Sequence, residues 1–223
     1  MKRLLLVLFC IVYIFSFSAC SVSSAADVKP LAHSRYTVVI DAGHGGKDAG
    51  TIGVDGTEEK GINLSVALIL YDYLMVSGID CKLVRDKDYE LYYTEEDKQK
   101  SDLYNRLDYV NAVKNSALIS IHQNHYESPK EWGCQVWYSK NNDESKVLAD
   151  KILTSVKAFI QPENTRQNKE SGSEYYILYN ATVPSVMVEC GFMSNPEENK
   201  LLQNTDYQKK FAYAILAGIC GEV

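Results

Sequence analysis

The sequence predicts an α/β domain of three layers, a twisted, mainly parallel sheet of about six strands flanked by helices. Three observations predict it. Short β-branched runs such as Tyr36–Asp41 and Ala117–His122 alternate with longer stretches of helical periodicity such as 143–160. Several runs stop at or just before a chemically capable residue (His44, His122, Glu189), as strands of an open sheet do at their carboxyl ends. The 223 residues hold no internal repeat and no low-complexity tract.

Met1-Lys2-Arg3 and the apolar run Leu4–Phe17 read as an export segment spanning 1–26. Three fates are open: a lipid on Cys20, cleavage after Ser24-Ala25-Ala26, or retention as an anchor. Each places the domain outside the cytoplasm. Residues 27–35 are a polar linker and 36–223 the domain, long enough for one well-buried core.

The first strand, Tyr36–Asp41, enters a loop to Glu59 with glycines at 43, 45, 46, 50, 53 and 56. A helix follows from about Asn63 to Val76, with Leu64, Ala67, Leu68, Tyr71 and Leu74 or Met75 inward and Gly78 past its end. Ile79–Val84 is the second strand. Residues 85–100, charged and tyrosine-rich, read as a surface excursion. The second helix covers 101–113 with Leu103, Leu107 and Val110 periodic. Ala117–His122 and Gly133–Tyr138 are strands. The third helix, 143–160, turns Val147, Leu148, Ile152 and Val156 inward. Residues 161–172 form a polar loop and Glu174–Leu178 is too short to assign. Ser185–Cys190 is a strand, Glu197–Leu202 a short helix and Asp206–Ile219 a closing helix.

The net charge of −6 argues against nucleic acid as a partner. The six cysteines include no Cys-x-x-Cys pair, which excludes a zinc ribbon and a thioredoxin motif. Cys81, Cys134, Cys190 and Cys220 sit in or beside apolar runs and read as buried thiols, with one bridge left open. The glycine loop is no phosphate cradle, because no Gly-Lys-Ser/Thr follows it.

His44, His122 and a carboxylate converging on one rim make a three-ligand zinc site with a position left for water. The favoured carboxylate is Glu59, which can fold back over the strand end beside His44; Glu58 competes with it. Glu189 is then free as general base, its pKa raised by burial. His125 competes with His122, which continues the strand and is favoured. His33 falls in the linker.

Four pieces resemble the zinc-dependent N-acetylmuramoyl-L-alanine amidases of the type 3 family: Asp41-Ala42-Gly43-His44-Gly45-Gly46, Glu59-Lys60-Gly61-Ile62-Asn63-Leu64, Ser120-Ile121-His122-Gln123-Asn124 and Val188-Glu189-Cys190-Gly191-Phe192-Met193-Ser194-Asn195-Pro196. The resemblance covers essentially all of 36–220. It implies Zn2+ on His44, Glu59 and His122, with Glu189 catalytic. Its substrate is peptidoglycan, cut between N-acetylmuramic acid and L-alanine. Within the family the chain looks most like the spore-cortex, germination-specific enzymes, through Asp102–Leu107 and Glu163-Asn164-Thr165-Arg166. Asn124, Arg166 and Arg106 are candidate substrate contacts. Two departures stand out: Lys60-Gly61 replaces Lys-Asp, and His125 follows Asn124 where a small residue is usual, which keeps a further ligand open. Some clostridial relatives act with a lipoprotein, so the resemblance allows a helper lipoprotein; a membrane contact is expected only through the N-terminal segment. The competing classes are a zinc peptidase acting within the stem peptide, against which stands the missing His-Glu-x-x-His, and a non-catalytic envelope-binding protein.

Overall fold

A computed structural model describes residues 36–91 and 102–221. The export segment and linker lie outside the described residues. The elements are β1 (Thr37–Ala42), α1 (Glu59–Val76), β2 (Cys81–Leu83), α2 (Asp102–Ala112), β3 (Ser116–Asn124), β4 (Gln135–Tyr138), α3 (Asp143–Phe159), β5 (Lys169–Glu170), α4 (Tyr176–Asn180), β6 (Ser185–Phe192), α5 (Pro196–Leu202) and α6 (Thr205–Cys220). They form the predicted α/β sandwich around one six-stranded sheet in the order β2-β1-β3-β6-β4-β5. Every pairing is parallel except β4 against β6.

Alternation along the strands builds two cores. Val38, Ile40, Ile119, Ile121, Val186 and Val188 face α1, α3 and α6. Val39 and Leu118 face the other way, among Leu107 and Val110 of α2 and Ile177 and Leu178 of α4. Both faces being covered, the central strands read as unbroken apolar runs. Cys134 and Cys190 are buried free thiols, and Cys81 is a half-buried one. No helix among the described residues is long and apolar enough to cross a membrane.

The structure corrects several expectations. Helix α1 begins at Glu59, not Asn63. Loop carbonyls cap its first turn: Glu59 N donates to Thr51 O at 3.0 Å and Lys60 N to Ala49 O at 3.1 Å. Its buried face is Ile62, Val66, Ala67, Leu70 and Leu74, continued at its start by Glu59 and Asn63. The stripe through Leu64, Leu68 and Tyr71 lies to one side and is half-buried. Two polar residues on the inward face disguise its direction. Val147 of α3 and Leu103 of α2 are 54% and 43% exposed, not inward. Within Glu174–Leu178, read as a short strand or a helix start, the helix is what forms, with α4 beginning at Tyr176. The described residues of 85–100 are not all surface, because Arg85 is only 1% exposed.

Candidate metal and catalytic site

Strands β1, β3 and β6 end side by side, with Ala42 opposite Ile121 and His122 opposite Glu189. The chain leaves β1 through Gly43-His44-Gly45-Gly46. His44 holds φ +62°, followed by Gly45 at +140° and Gly46 at +57°. The left-handed region costs a non-glycine residue about 1–3 kcal/mol, so it persists only where its surroundings enforce it. Here it turns the His44 ring back over the strand ends.

The ring meets Glu59, the first residue of α1. His44 Nε2 lies 3.3 Å from Glu59 Oε2, and His122 Nδ1 lies 3.1 Å from Glu59 Oε1. One ligand atom from each of the three residues falls within 4.8 Å of the others, the one such group among the described residues. The two imidazoles meet edge to face, with centroids 4.9 Å apart. Two glycines make room. A Cβ on Gly43 would lie 2.2 Å from the His122 ring, and one on Gly50 2.6 Å from both Glu59 and His44.

Surrounding groups fix His44 and Glu59, and Glu59 in turn meets the His122 ring. His44 Nδ1 donates to Asp48 Oδ2 at 2.7 Å. Glu59 accepts from Thr51 N at 2.8 Å, Gln123 N at 2.9 Å and Asn63 Nδ2 at 3.0 Å. Gln123 Nε2 in turn donates to Asn63 Oδ1 at 3.0 Å. Such partners set the orientation and basicity of ligands.

The electrostatics follow from this geometry. Burial works against ionisation of Glu59, but the two histidines outweigh it and hold its carboxyl well below the usual range. Burial also works to lower the His44 pKa; the Glu59 and Asp48 carboxylates outweigh it and lift it to about 9. A site whose carboxylates draw positive charge onto His44 in this way suits a cation. Glu189 behaves differently. Burial pushes its carboxyl up to about 7, Glu59 adds to the rise, and the histidines oppose it. Its Oε2 is buried and has no hydrogen-bond partner among the described residues. A carboxylate poised near neutrality with an uncommitted oxygen can take up and release a proton.

The structure brings together His44, Glu59, His122 and Glu189, as the sequence suggested. Glu58 is half-exposed and pairs with Lys60 at 3.2 Å. His125 is exposed and outside the cluster. Asn124 is half-buried at the end of β3, where its side chain accepts from His125 N at 2.8 Å.

The two arginines proposed for substrate are both engaged in ion pairs, Arg106 buried and Arg166 at the surface. Arg106, 2% exposed, is ion-paired to Asp41 at 2.6 Å and Asp102 at 2.5 Å. Its position beneath the loop removes it from direct substrate contact. Arg166 pairs with Glu131 at 2.5 Å, donates to Trp132 O at 2.7 Å and lies 4.4 Å from the Phe192 ring centroid. The guanidinium is thus held by neighbouring side chains and backbone, while Arg166 stays partly exposed.

Sequence reasoning missed Arg85, Asp48, Asn63 and Gln123. For Arg85 a signal was present: it directly follows the apolar run of the second strand, where a side chain is as easily covered as exposed. Reasoning also missed Glu198, a buried carboxylate that accepts from Phe192 N and Gly133 N, each at 2.8 Å, and so ties the end of β6 to the approach to β4. Its signal was its place three residues after Asn195, the N-cap of α5.

Two imidazole nitrogens and one carboxylate oxygen form a donor set that suits a catalytic divalent ion of the first transition row, with coordination left open. The residues present therefore fit a metal.

The family model described as N-acetylmuramoyl-L-alanine amidase matches residues 38–221. The chain is 32% identical over 192 residues to the germination-specific N-acetylmuramoyl-L-alanine amidase of Bacillus subtilis strain 168, covering 83% of this chain and 79% of that protein. It is 27% identical over 227 residues to the amidase AmiA of Escherichia coli K12, covering 83% and 75%. Among solved structures it is similar to the CwlD amidase of Clostridioides difficile, determined in complex with the GerS lipoprotein. That match has a TM-score of 0.77 and 37% identity, over 82% of this chain and 96% of that one. The amidase AmiC2 of Nostoc punctiforme matches with a TM-score of 0.73 and 29% identity, over 85% and 98%.

Proposed function

The chain belongs to the N-acetylmuramoyl-L-alanine amidase family, and we propose that it works outside the cytoplasm as a zinc enzyme of spore-cortex maturation or cell-wall remodelling, cutting between N-acetylmuramic acid and L-alanine. The observation that carries the mechanism is the pairing of a His44–Glu59–His122 group with a buried, uncommitted Glu189 oxygen across from His122. The likeness to a germination-specific enzyme supports the cortex role.

His44, Glu59 and His122 would hold the ion. When bound, zinc supplies Lewis acidity, lowering the pKa of water to about 7 and polarising a carbonyl. Glu189 takes a proton from the attacking water as its oxygen adds to the carbonyl carbon. It returns a proton to the L-alanine nitrogen as the C–N bond breaks, leaving a muramic carboxylate and a peptide with a free amine. Asp48 holds His44, and Asn63 and Gln123 hold Glu59, which in turn meets His122. Asn124 at the rim and the partly exposed Arg166 stand as candidates for a substrate contact.

Residues 1–26 direct export under this reading, so a chain starting near Val28 keeps its activity per bound zinc. A lipoprotein partner is part of the proposal as well, supported by the complex formed by the C. difficile relative.

Mass spectrometry of muropeptides digested by the zinc-loaded protein tests the reaction. Peptides beginning with L-alanine and peptide-free muramic acid are expected, lost on chelation and restored by zinc. Fragments cut within the stem peptide, with L-alanine still on muramic acid, would make the protein a peptidase instead.

A further inference from the structure

The loop carrying His44 rests on two buried arginines. We infer that Arg85 and Arg106 are positioning residues that set the spacing of the metal ligands, so that metal affinity depends on them; this rests on the reading of His44, Glu59 and His122 as ligands.

Three consecutive carbonyls, those of Ala42, Gly43 and His44, point into the protein. Ala42 O accepts from both arginines, from Arg85 Nε at 2.8 Å and Arg106 Nη1 at 2.7 Å. Gly43 O accepts from Arg85 Nη2 at 3.0 Å, and His44 O from Arg106 Nη2 at 2.5 Å. These bonds hold the run of positive φ from His44 to Gly46 and so the direction of the His44 ring. Arg85 reaches further. Its Nη2 also donates to Lys60 O at 2.9 Å, the residue after Glu59. One rigid guanidinium therefore spans the loop of the first ligand and the helix turn of the second. Arg106 fastens the same loop to β1 through Asp41 and to α2 through Asp102.

Fold stability alone is a poor reason for this arrangement. Arg85 and Arg106 are 1% and 2% exposed. They converge on one carbonyl oxygen, so two like charges are buried close together, and apolar residues of similar volume commonly serve stability as well or better. What apolar residues cannot do is hold several carbonyls at fixed angles, and a lysine offers only a point charge on a flexible stem. The arrangement makes sense where the position of His44 relative to Glu59 must be held closely, as a metal site requires.

The test measures zinc affinity by competition with a chromophoric chelator, alongside the thermal midpoint of the metal-free protein. Arg85→Lys and Arg106→Lys should each weaken zinc binding by about 10–100-fold at temperatures where the metal-free variants remain folded. Millimolar guanidinium should restore part of the affinity to Arg85→Ala. Unchanged affinity with a lowered metal-free midpoint would overturn the inference and leave the arginines as scaffold. Should Arg106→Lys not fold, Arg85→Lys and the guanidinium rescue of Arg85→Ala decide alone. A wild-type protein that binds no zinc would instead remove the premise, a failure distinct from variants that bind as well as wild type.

Discussion

In the proposed mechanism the chemistry turns on Glu189 being held apart from the ligands. It sits across from His122 in register, buried, with one oxygen unpartnered. Glu189→Gln keeps size and polarity but cannot accept a proton. Turnover should fall by about 10²–10⁴-fold, with zinc content by elemental analysis near that of wild type. Loss of zinc together with turnover would make Glu189 a ligand and Glu59 the base. The same comparison separates the two histidines. His122→Ala should lose zinc and activity together, because its ring faces Glu59 at 3.1 Å. His125→Ala, changed at an exposed position outside the cluster, should keep both. Full occupancy in His122→Ala would hand the ligand role to His125.

At the scale of elements, the site exists because a strand end, a helix start and a second strand end meet over glycines. Gly43 shows how little space is left. An alanine Cβ there would lie 2.2 Å from the His122 ring, and that ring must move to admit it. Gly43→Ala should therefore fold, lose most of its zinc affinity by chelator competition, and lose activity in proportion. Wild-type affinity in that variant would show that β3 can shift without cost to the metal. Helix α1 carries the same logic. Its first turn is capped by loop carbonyls, so the loop that presents His44 also places Glu59, and neither ligand can be set without the other.

For the whole molecule, the buried charge beneath the site ties stability to pH. Burial alone would raise the Asp41 pKa, but Arg106, with His122 and Ser120, holds it below 3.8. A carboxylate with a depressed folded pKa contributes stability above its unfolded pKa and loses it as pH falls through the folded one. Wild-type protein should therefore be more stable than Asp41→Asn at neutral pH, by denaturant midpoint, and the gap should close as pH falls below about 4. A constant gap would mean that the Asp41 charge contributes nothing. The sequence by itself determined the fold class and the alternation of strands and helices, because β-branched runs broken by glycine and helical periodicity are short-range signals. It also named His44, Glu59, His122 and Glu189 as the candidate group; the strands themselves end at Ala42 and Asn124, not at the histidines. It favoured Glu59 over Glu58 and His122 over His125 without excluding the rivals, placed Ala67 and Leu74 correctly on the buried face of α1 but not Leu64, Leu68 and Tyr71, and read Arg85 as surface. Those were decided by the tertiary structure alone. Which side chain enters a site depends on register and helix rotation, and a charged residue stays buried only when distant backbone carbonyls and carboxylates are brought to meet it.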